Sequence, residues 1–115
     1  MISFEYIKEC PFNLSLEHKV WLHRVIHQEK KRPGDIAYIF CDDAYMIERN
    51  IAFLQHDTYT DIITFDECKG DVVAGSILIS LDRVEENASQ MGKPFENELL
   101  RVLVHGVLHL CGYKD

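Results

Sequence analysis

The segment from about Phe95 to Cys111 constrains the fold most, because its composition favours a helix that is apolar on nearly every side. A helix of that kind is normally buried in the core of a domain. It nevertheless carries one polar stripe at spacings of three and four, formed by Glu98, Arg101, His105 and His109. Burying polar groups is costly unless they are paired or coordinated. The stripe is therefore expected to line a cleft or to be satisfied by a ligand.

The two histidines of this stripe indicate a metal site. Residues four apart on a helix project from the same face about one turn apart, so His105 and His109 can both reach one ion. Gly112 can adopt a left-handed conformation that ends the helix, and the chain can then turn back to offer Asp115 as a third ligand. Two imidazoles and a carboxylate suit one zinc ion per chain with a water in the fourth position, which is the catalytic pattern. Nickel, iron or manganese would also fit these ligands.

The histidine spacing is also that of the long zinc-protease motif, H-E-x-x-H-x-x-G-x-x-H. Gly106 stands where those enzymes carry the glutamate that deprotonates water for peptide hydrolysis. The pattern therefore predicts the metal geometry without the proteolytic chemistry. A zinc metalloprotease-like hydrolase is kept as a disfavoured alternative.

Length, charge and cysteine content set the broad class. A chain of 115 residues is expected to form one domain with a real hydrophobic core. Its formal net charge of −7 argues against sequence-independent adhesion to nucleic acid, and no DNA partner is expected. The one dense basic cluster, Lys30-Lys31-Arg32, is interpreted as a solvated helix end. Without an apolar membrane span or an export signal, a cytoplasmic location without membrane partners is predicted.

The four cysteines are interpreted as reduced thiols, since they form no C-x-x-C pair and no export signal precedes them. Cys111 lies close to the predicted metal site. It is nevertheless interpreted as a packed thiol rather than as a ligand.

Hydrophobic periodicity and turn signals divide the chain into eight elements in the order β-α-β-α-β-β-α-α. The expected strands cover residues 2–7, 36–41, 61–66 and 71–80, the last two as a hairpin. The expected helices run from Ser15 to about Lys31, from Asp42 or Asp43 onward, over 81–91, and over the last segment. The second helix has an apolar stripe of Ala44, Ile47, Ile51 and Leu54. This order predicts an α+β single domain with a mixed four-stranded sheet packed with helices, and a metal site on the C-terminal helix.

Three blocks of the sequence repeat the pattern of one known family. HGVLHLCGYKD, at 105–115, is similar to the signature H-G-x-L-H-L-x-G-Y-D-H. TDIITF, at 60–65, is similar to a strand with the pattern T-D-V-L-S-F, and GSILIS, at 75–80, to one with the pattern G-D-I-x-I-S. On these residues the chain resembles the YbeY family of bacterial rRNA-maturation factors, which are regarded as metal-dependent endoribonucleases. The resemblance covers roughly residues 36–115.

The resemblance implies a YbeY-like metal-dependent hydrolase domain over residues 1–115, with a zinc in a cleft floored by the last helix. It implies hydrolysis of single-stranded RNA in 16S rRNA 3′-end maturation and in ribosome quality control, with rRNA and the small ribosomal subunit as partners. By position, His105 and His109 carry over as metal ligands, and His105 is expected to be the residue most critical for catalysis. The third histidine of the family falls on Asp115.

The sequence departs from the family pattern at an arginine that usually follows an aromatic residue after the second helix. Here that position is Leu54, following Phe53. The resemblance implies that a phosphate contact of the family is thereby removed, and Arg49, Arg101 and Lys93 are the cations left to replace it. Among them Arg101 is the candidate for substrate binding.

Two further departures concern the loop before the third strand and the end of the signature. Tyr59 stands where the family has a proline before Thr-Asp. Family members usually continue past the signature into another helical segment, and the resemblance implies that this chain lacks that C-terminal helical segment.

The sequence is compatible with two classes of function. The first is a metal-dependent endoribonuclease, in which either water or the RNA 2′-hydroxyl attacks the phosphodiester. The second is a ribosome-associated RNA-binding factor whose metal is structural. No general base is assigned, because Asp57, Asp61 and Asp66 are interpreted as turn or strand-edge carboxylates and His56 as a surface-loop residue.

Overall fold

The computed structural model describes residues 1–54 and 60–113, and for residues 51–54 it describes the backbone alone. Within these residues the elements follow the predicted order. The strands are β1 (Ile2–Tyr6), β2 (Arg32–Cys41), β3 (Ile62–Asp66) and β4 (Val72–Ser80). The helices are α1 (Leu16–Gln28), α2 (Asp43–Leu54), α3 (Leu81–Met91) and α4 (Phe95–Leu110).

The strands form one mixed four-stranded sheet in the order β1-β2-β4-β3, as the sequence predicts. β1, β2 and β4 run parallel, and β3 returns antiparallel along β4 as the predicted hairpin. The backbone N–H of Ser80, at the end of β4, donates to the carbonyl of Asp61 just before β3 at 3.0 Å. The start of β3 and the end of β4 therefore lie at the same edge of the domain.

The larger core lies between one face of the sheet and helices α1, α3 and α4. Alternate residues of β2 and β4 point into it, and α4 supplies its fully buried members Leu99, Val102, Leu103 and Val107. The hydroxyl of Tyr38, on β2, donates to the backbone carbonyl of Leu103 at 2.7 Å within this core. α4 is thus held to the centre of the sheet by apolar packing and by a buried hydrogen bond.

Helix α2 covers part of the opposite face of the sheet, and its buried side differs from the predicted stripe. Ala44 is exposed, whereas Met46 and Asn50 are buried. Met46 packs with Cys41, Ile63 and Leu78 in a second, smaller cluster. The stripe prediction is therefore wrong for Ala44, because periodicity alone did not identify which side of α2 meets the sheet.

Two further predictions concern the cysteine thiols and membrane-spanning helices. All four cysteines are free thiols, as predicted, and burial is the main cause that raises the pKa of Cys41 to about 12. In the part of the chain that the structure describes, no helix combines the length and the apolar character needed to span a bilayer.

Gly75 allows β3 and β4 to pair, and its replacement gives a test of the hairpin. Its φ is +148°, and an added Cβ would lie 2.1 Å from the carbonyl oxygen of Phe65. We expect Gly75→Ala to lower the free energy of unfolding by about 3 kcal/mol or more, because the contact is with backbone that cannot rotate away. Urea denaturation measures this change.

Gly70, in the turn of the same hairpin, provides the matched control. Its φ is +59°, but an added Cβ would meet nothing within 4 Å. Gly70→Ala should therefore cost only the left-handed penalty of about 1 kcal/mol. Equal losses for the two variants would contradict the steric role of Gly75.

Candidate functional site

Helix α4 carries the predicted polar stripe along one side of a buried helix. It begins after Pro94 and ends at Leu110, close to the predicted bounds. Gly112 follows with φ +109°, as predicted for the residue that ends the helix. The backbone N–H groups of Gly112 and Tyr113 donate to the carbonyls of His109 and Leu108, at 3.0 and 3.1 Å. The last turn is thereby closed directly beside His109.

Gly106 faces the sheet rather than the polar stripe. It is buried, and an added Cβ would lie 2.9 Å from Cγ2 of Ile77 and 3.0 Å from Cδ1 of Ile62. The absence of a side chain therefore lets α4 approach β3 and β4 closely. In the sequence Gly106 is notable only for the general base that is absent there, whereas the structure gives it a packing role.

His105 and His109 converge as the helical spacing predicts. Their Nε2 atoms lie 2.8 Å apart, with the rings in an edge-to-face arrangement at a centroid distance of 4.4 Å. Both side chains are half-buried. Two nitrogens bound to one tetrahedral zinc at about 2.0–2.1 Å lie roughly 3.3 Å apart. The two Nε2 atoms would therefore have to move apart by about 0.5 Å to admit the ion. The pair therefore fits a metal that takes imidazole ligands.

The predicted third ligand, Asp115, lies outside the described residues, as do the candidates His56 and Asp57 and the substituted position Tyr59. Among residues 1–54 and 60–113, no three His, Cys, Asp or Glu side chains are grouped so as to hold a metal. The metal set of His105, His109 and Asp115 thus remains a prediction, of which the structure describes the histidine pair.

Glu98 and Arg101 form an ion pair at the other end of the stripe. Nε and Nη2 of Arg101 donate to Oε1 and Oε2 of Glu98 at 2.8 and 2.7 Å. The Glu98 carboxylate is only 1% exposed, whereas the Arg101 side chain is 51% exposed. These hydrogen bonds are the largest cause that lowers the pKa of Glu98, and a hydrogen bond with Asn87 acts in the same direction. The burial cost of the carboxylate is offset by this bidentate contact.

Asp61 lies beside the same guanidinium. Its Oδ2 is 3.8 Å from Nη2 of Arg101, at the edge where β3 begins. This position agrees with the interpretation of Asp61 as a strand-edge carboxylate, and it adds the proximity to Arg101 that the sequence did not reveal. Asp66 accepts a hydrogen bond from the backbone N–H of Cys68 at 2.7 Å, which lowers the pKa of Asp66. Asp66 is thus a turn carboxylate, as interpreted.

The other two candidate cations lie outside the stripe, although Lys93 is close enough to Glu98 to lower the pKa of its carboxylate. The guanidinium of Arg49 stacks over the ring of Tyr45 on α2 at 4.4 Å and pairs with Glu48 at 3.4 Å. Lys93 lies in the connection between α3 and α4. Of the three, Arg101 is the one on the same helical face as the histidines.

Cys111 agrees with its interpretation as a packed thiol, whereas the basic cluster is not a helix end, because α1 ends at Gln28 and Arg32 is the first residue of β2. Lys30 follows the end of α1 with φ +59°, and Nη2 of Arg32 pairs with Asp71 at 2.9 Å. Cys111 packs against the core, and burial raises the pKa of its thiol.

The role of Glu98 is the feature that sequence reasoning missed. The sequence placed Glu98 in the polar stripe without identifying its partner. The sequence did contain a signal for this ion pair, because glutamate and arginine three residues apart on one helix are neighbours. On a helix that is otherwise apolar, such a pair indicates a buried carboxylate with a dedicated cation.

Comparison with known proteins places the chain in a family. The profile of the family described as "Endoribonuclease YbeY" matches residues 5–115. The chain is similar to the endoribonuclease YbeY of Flavobacterium psychrophilum, with 50% identity over 115 residues that cover 100% of this chain and 82% of that protein. The protein of the same description from Flavobacterium johnsoniae is 50% identical over 117 residues, covering 100% and 83%.

A solved structure gives the same fold. The solution structure of TM1509 from Thermotoga maritima is similar with a TM-score of 0.69 and 34% sequence identity. The match covers 99% of this chain and 74% of that protein.

Proposed function

The chain belongs to the YbeY family of endoribonucleases, and from that premise we propose that it is a metal-dependent enzyme that cleaves single-stranded RNA. Its proposed task is maturation of the 3′ end of 16S rRNA and ribosome quality control. The observation that supports the metal dependence is the convergence of His105 and His109, whose Nε2 atoms lie 2.8 Å apart. Residues four apart on a helix face the same side, so the two rings can share one ion with a third ligand that reaches them.

The proposed metal is one zinc ion per chain, held by His105, His109 and Asp115. When bound, zinc would supply a Lewis acid that lowers the pKa of water and polarises a phosphoryl oxygen. His105 and His109 are suited to holding it, because α4 is fixed to the sheet by its buried face and the rings therefore sit on a rigid element. Rigid ligands keep the geometry of the site constant between catalytic cycles.

The residues of the chain itself supply the remaining functions. Arg101 binds the RNA backbone, since its half-exposed guanidinium lies one helical turn before His105. Attack by water and attack by the RNA 2′-hydroxyl are both compatible with this arrangement.

The proposed partners are rRNA and the small ribosomal subunit, and the proposed location is the cytoplasm. These proposals rest on the family resemblance. The net charge of −7 is compatible with them, because a nuclease that acts on a defined ribosomal site does not need broad adhesion to nucleic acid.

The proposal is tested with purified protein and a single-stranded RNA that carries the 3′ region of the 16S rRNA precursor. We expect cleavage that a chelator abolishes and that zinc or manganese restores. We also expect elemental analysis to find about one metal ion per chain, and less in Asp115→Ala. Cleavage that persists in chelator, or unchanged metal content in Asp115→Ala, would contradict the proposed site.

The chemistry of the product ends then separates the two nucleophiles. A 2′,3′-cyclic phosphate would show attack by the 2′-hydroxyl, whereas its absence from the earliest products would indicate direct attack by water.

A further inference from the structure

We propose that Glu98 is a positioning residue that aims Arg101 at an RNA phosphate next to the one that reacts. This inference rests on the proposed function and deepens it, because it explains how Arg101 is held in position to bind the RNA backbone. In this chain Leu54 stands in place of the arginine that the family usually has. It is carried by the geometry of the Glu98–Arg101 pair and not by sequence spacing alone.

Glu98 engages only some of the hydrogen-bond donors of the Arg101 guanidinium. Arginine has five N–H donors in a planar fork. Glu98 accepts from Nε and from one hydrogen of Nη2, at 2.8 and 2.7 Å. Oδ2 of Asp61 is 3.8 Å from Nη2, beyond hydrogen-bond distance, and Nη1 has no acceptor among the described residues. The outer end of the guanidinium therefore keeps donors for a second bidentate contact.

The two members of this ion pair differ in their exposure to solvent. The Glu98 carboxylate is 1% exposed and cannot exchange its partner for water, whereas the Arg101 side chain is 51% exposed. Here the buried partner holds Nε and the inner side of Nη2, and the outer end is presented to solvent. Two parallel N–H groups in a fixed plane match two oxygens of a phosphate.

Arg101 lies near the histidine pair along α4. Arg101 precedes His105 by four residues on α4, which corresponds to about 6 Å along the helix axis on the same face. That separation places the guanidinium beside the histidine pair without reaching it. A phosphate held by Arg101 would therefore be a neighbour of the phosphate at the histidines, and Arg101 binds substrate rather than stabilising the reaction itself.

The carboxylate of Asp61 would compete with an RNA phosphate for Arg101. Its position 3.8 Å from Nη2 of Arg101 is close enough to repel an incoming phosphate. Removing its charge should therefore favour RNA binding, whereas a merely structural role of the cluster predicts no change in RNA affinity.

The experiment measures RNA binding and cleavage separately. Dissociation constants for a fluorescent single-stranded RNA are measured without metal, and KM and kcat are measured with metal. We expect Arg101→Gln to weaken binding and to raise KM by about 30-fold with little change in kcat, and Arg101→Lys by about tenfold, because lysine keeps the charge but loses the fork. The slope of log K against log salt should fall by about 0.7 in Arg101→Gln.

Two variants test the neighbours of Arg101. Glu98→Gln, which is isosteric, should raise KM by about fivefold, because the amide NH2 can no longer accept from Nη2. Asp61→Asn should lower KM by about two- to threefold, because it removes the competing charge. Thermal melts accompany each variant, so that a loss of binding is assigned to the site only where the fold is retained.

Arg32→Gln is the matched control. Arg32 also uses Nε and Nη2 in its pair with a carboxylate, at 3.1 and 2.9 Å from Oδ1 of Asp71. It pairs in register with Val72 at the start of β4, whereas Asp61 lies at the Ser80 end of that strand. The variant removes the same charge at the opposite end of the sheet, and its KM should stay within about twofold of the wild type.

The outcomes separate this inference from the proposed function. If the wild type binds and cleaves RNA but Arg101→Gln behaves like Arg32→Gln, the inference fails and the proposed function stands. If RNA is bound with the predicted dependence on Arg101 but is not cleaved with any metal, the proposed function fails and the inference stands. If the wild type neither binds nor cleaves RNA, both fail.

Discussion

Replacement of His105 by alanine is expected to lower kcat/KM for cleavage of single-stranded RNA by at least about 10³-fold while the domain remains folded. The reason is the position of the ring. His105 is half-buried on α4 with its Nε2 atom 2.8 Å from that of His109, so its loss leaves a single imidazole on this face of the helix. The fold should survive, because the main core is formed by the opposite, apolar side of α4. Cleavage rates, metal content and thermal melts measure these effects.

His27→Ala provides the control for removal of an imidazole. His27 is exposed in the last turn of α1, on a different helix from the polar stripe, and its loss should leave both activity and metal content unchanged. If RNA processing persisted in a folded His105→Ala protein, the catalytic role of the metal would be rejected. The alternative, a ribosome-associated RNA-binding factor with a structural metal, would then be the better account.

Local signals account for the parts of the fold that the sequence predicted well. The order of the elements, the β3–β4 hairpin and the end of α4 near Gly112 depend on periodicity and turn residues that lie close together in the chain. The start of β2 did not follow from such signals. Pro33-Gly34 indicated a break, yet β2 begins at Arg32, whose backbone N–H donates to the carbonyl of Asp71 at 2.8 Å. Pairing with a distant strand extended β2 through a register shift after Pro33.

The same distinction applies to the candidate site. His105 and His109 could be paired from sequence, because four residues on a helix fix their separation. The contact of Arg101 with Asp61 could not, because it joins α4 to the start of β3 across 40 residues of chain. The buried side of α2 was misjudged for a related reason: Met46 and Asn50 face inward because the sheet lies there, and a stripe through Ala44 satisfies the helical period equally well.

Gly106→Glu is the second variant for which a large effect is expected, and it bears on the protease alternative. It would restore the glutamate of the zinc-protease motif at its place in the sequence. We expect it instead to lower the free energy of unfolding by about 4 kcal/mol or more. The new side chain would start 2.9 Å from Cγ2 of Ile77 and 3.0 Å from Cδ1 of Ile62, and its carboxylate would be buried against apolar groups. Urea denaturation measures the loss.

Asn97→Glu is the control on the same helix. Asn97 is exposed in the first turn of α4, where an added carboxylate should change stability by no more than about 0.5 kcal/mol. A folded Gly106→Glu protein that cleaved casein in a chelator-sensitive manner would revive the protease alternative. Such a result requires the side chain at 106 to reach the histidine face. In this fold position 106 faces β3 and β4, where the close packing of α4 on the sheet leaves no room for a side chain. A general base at 106 is therefore incompatible with this packing.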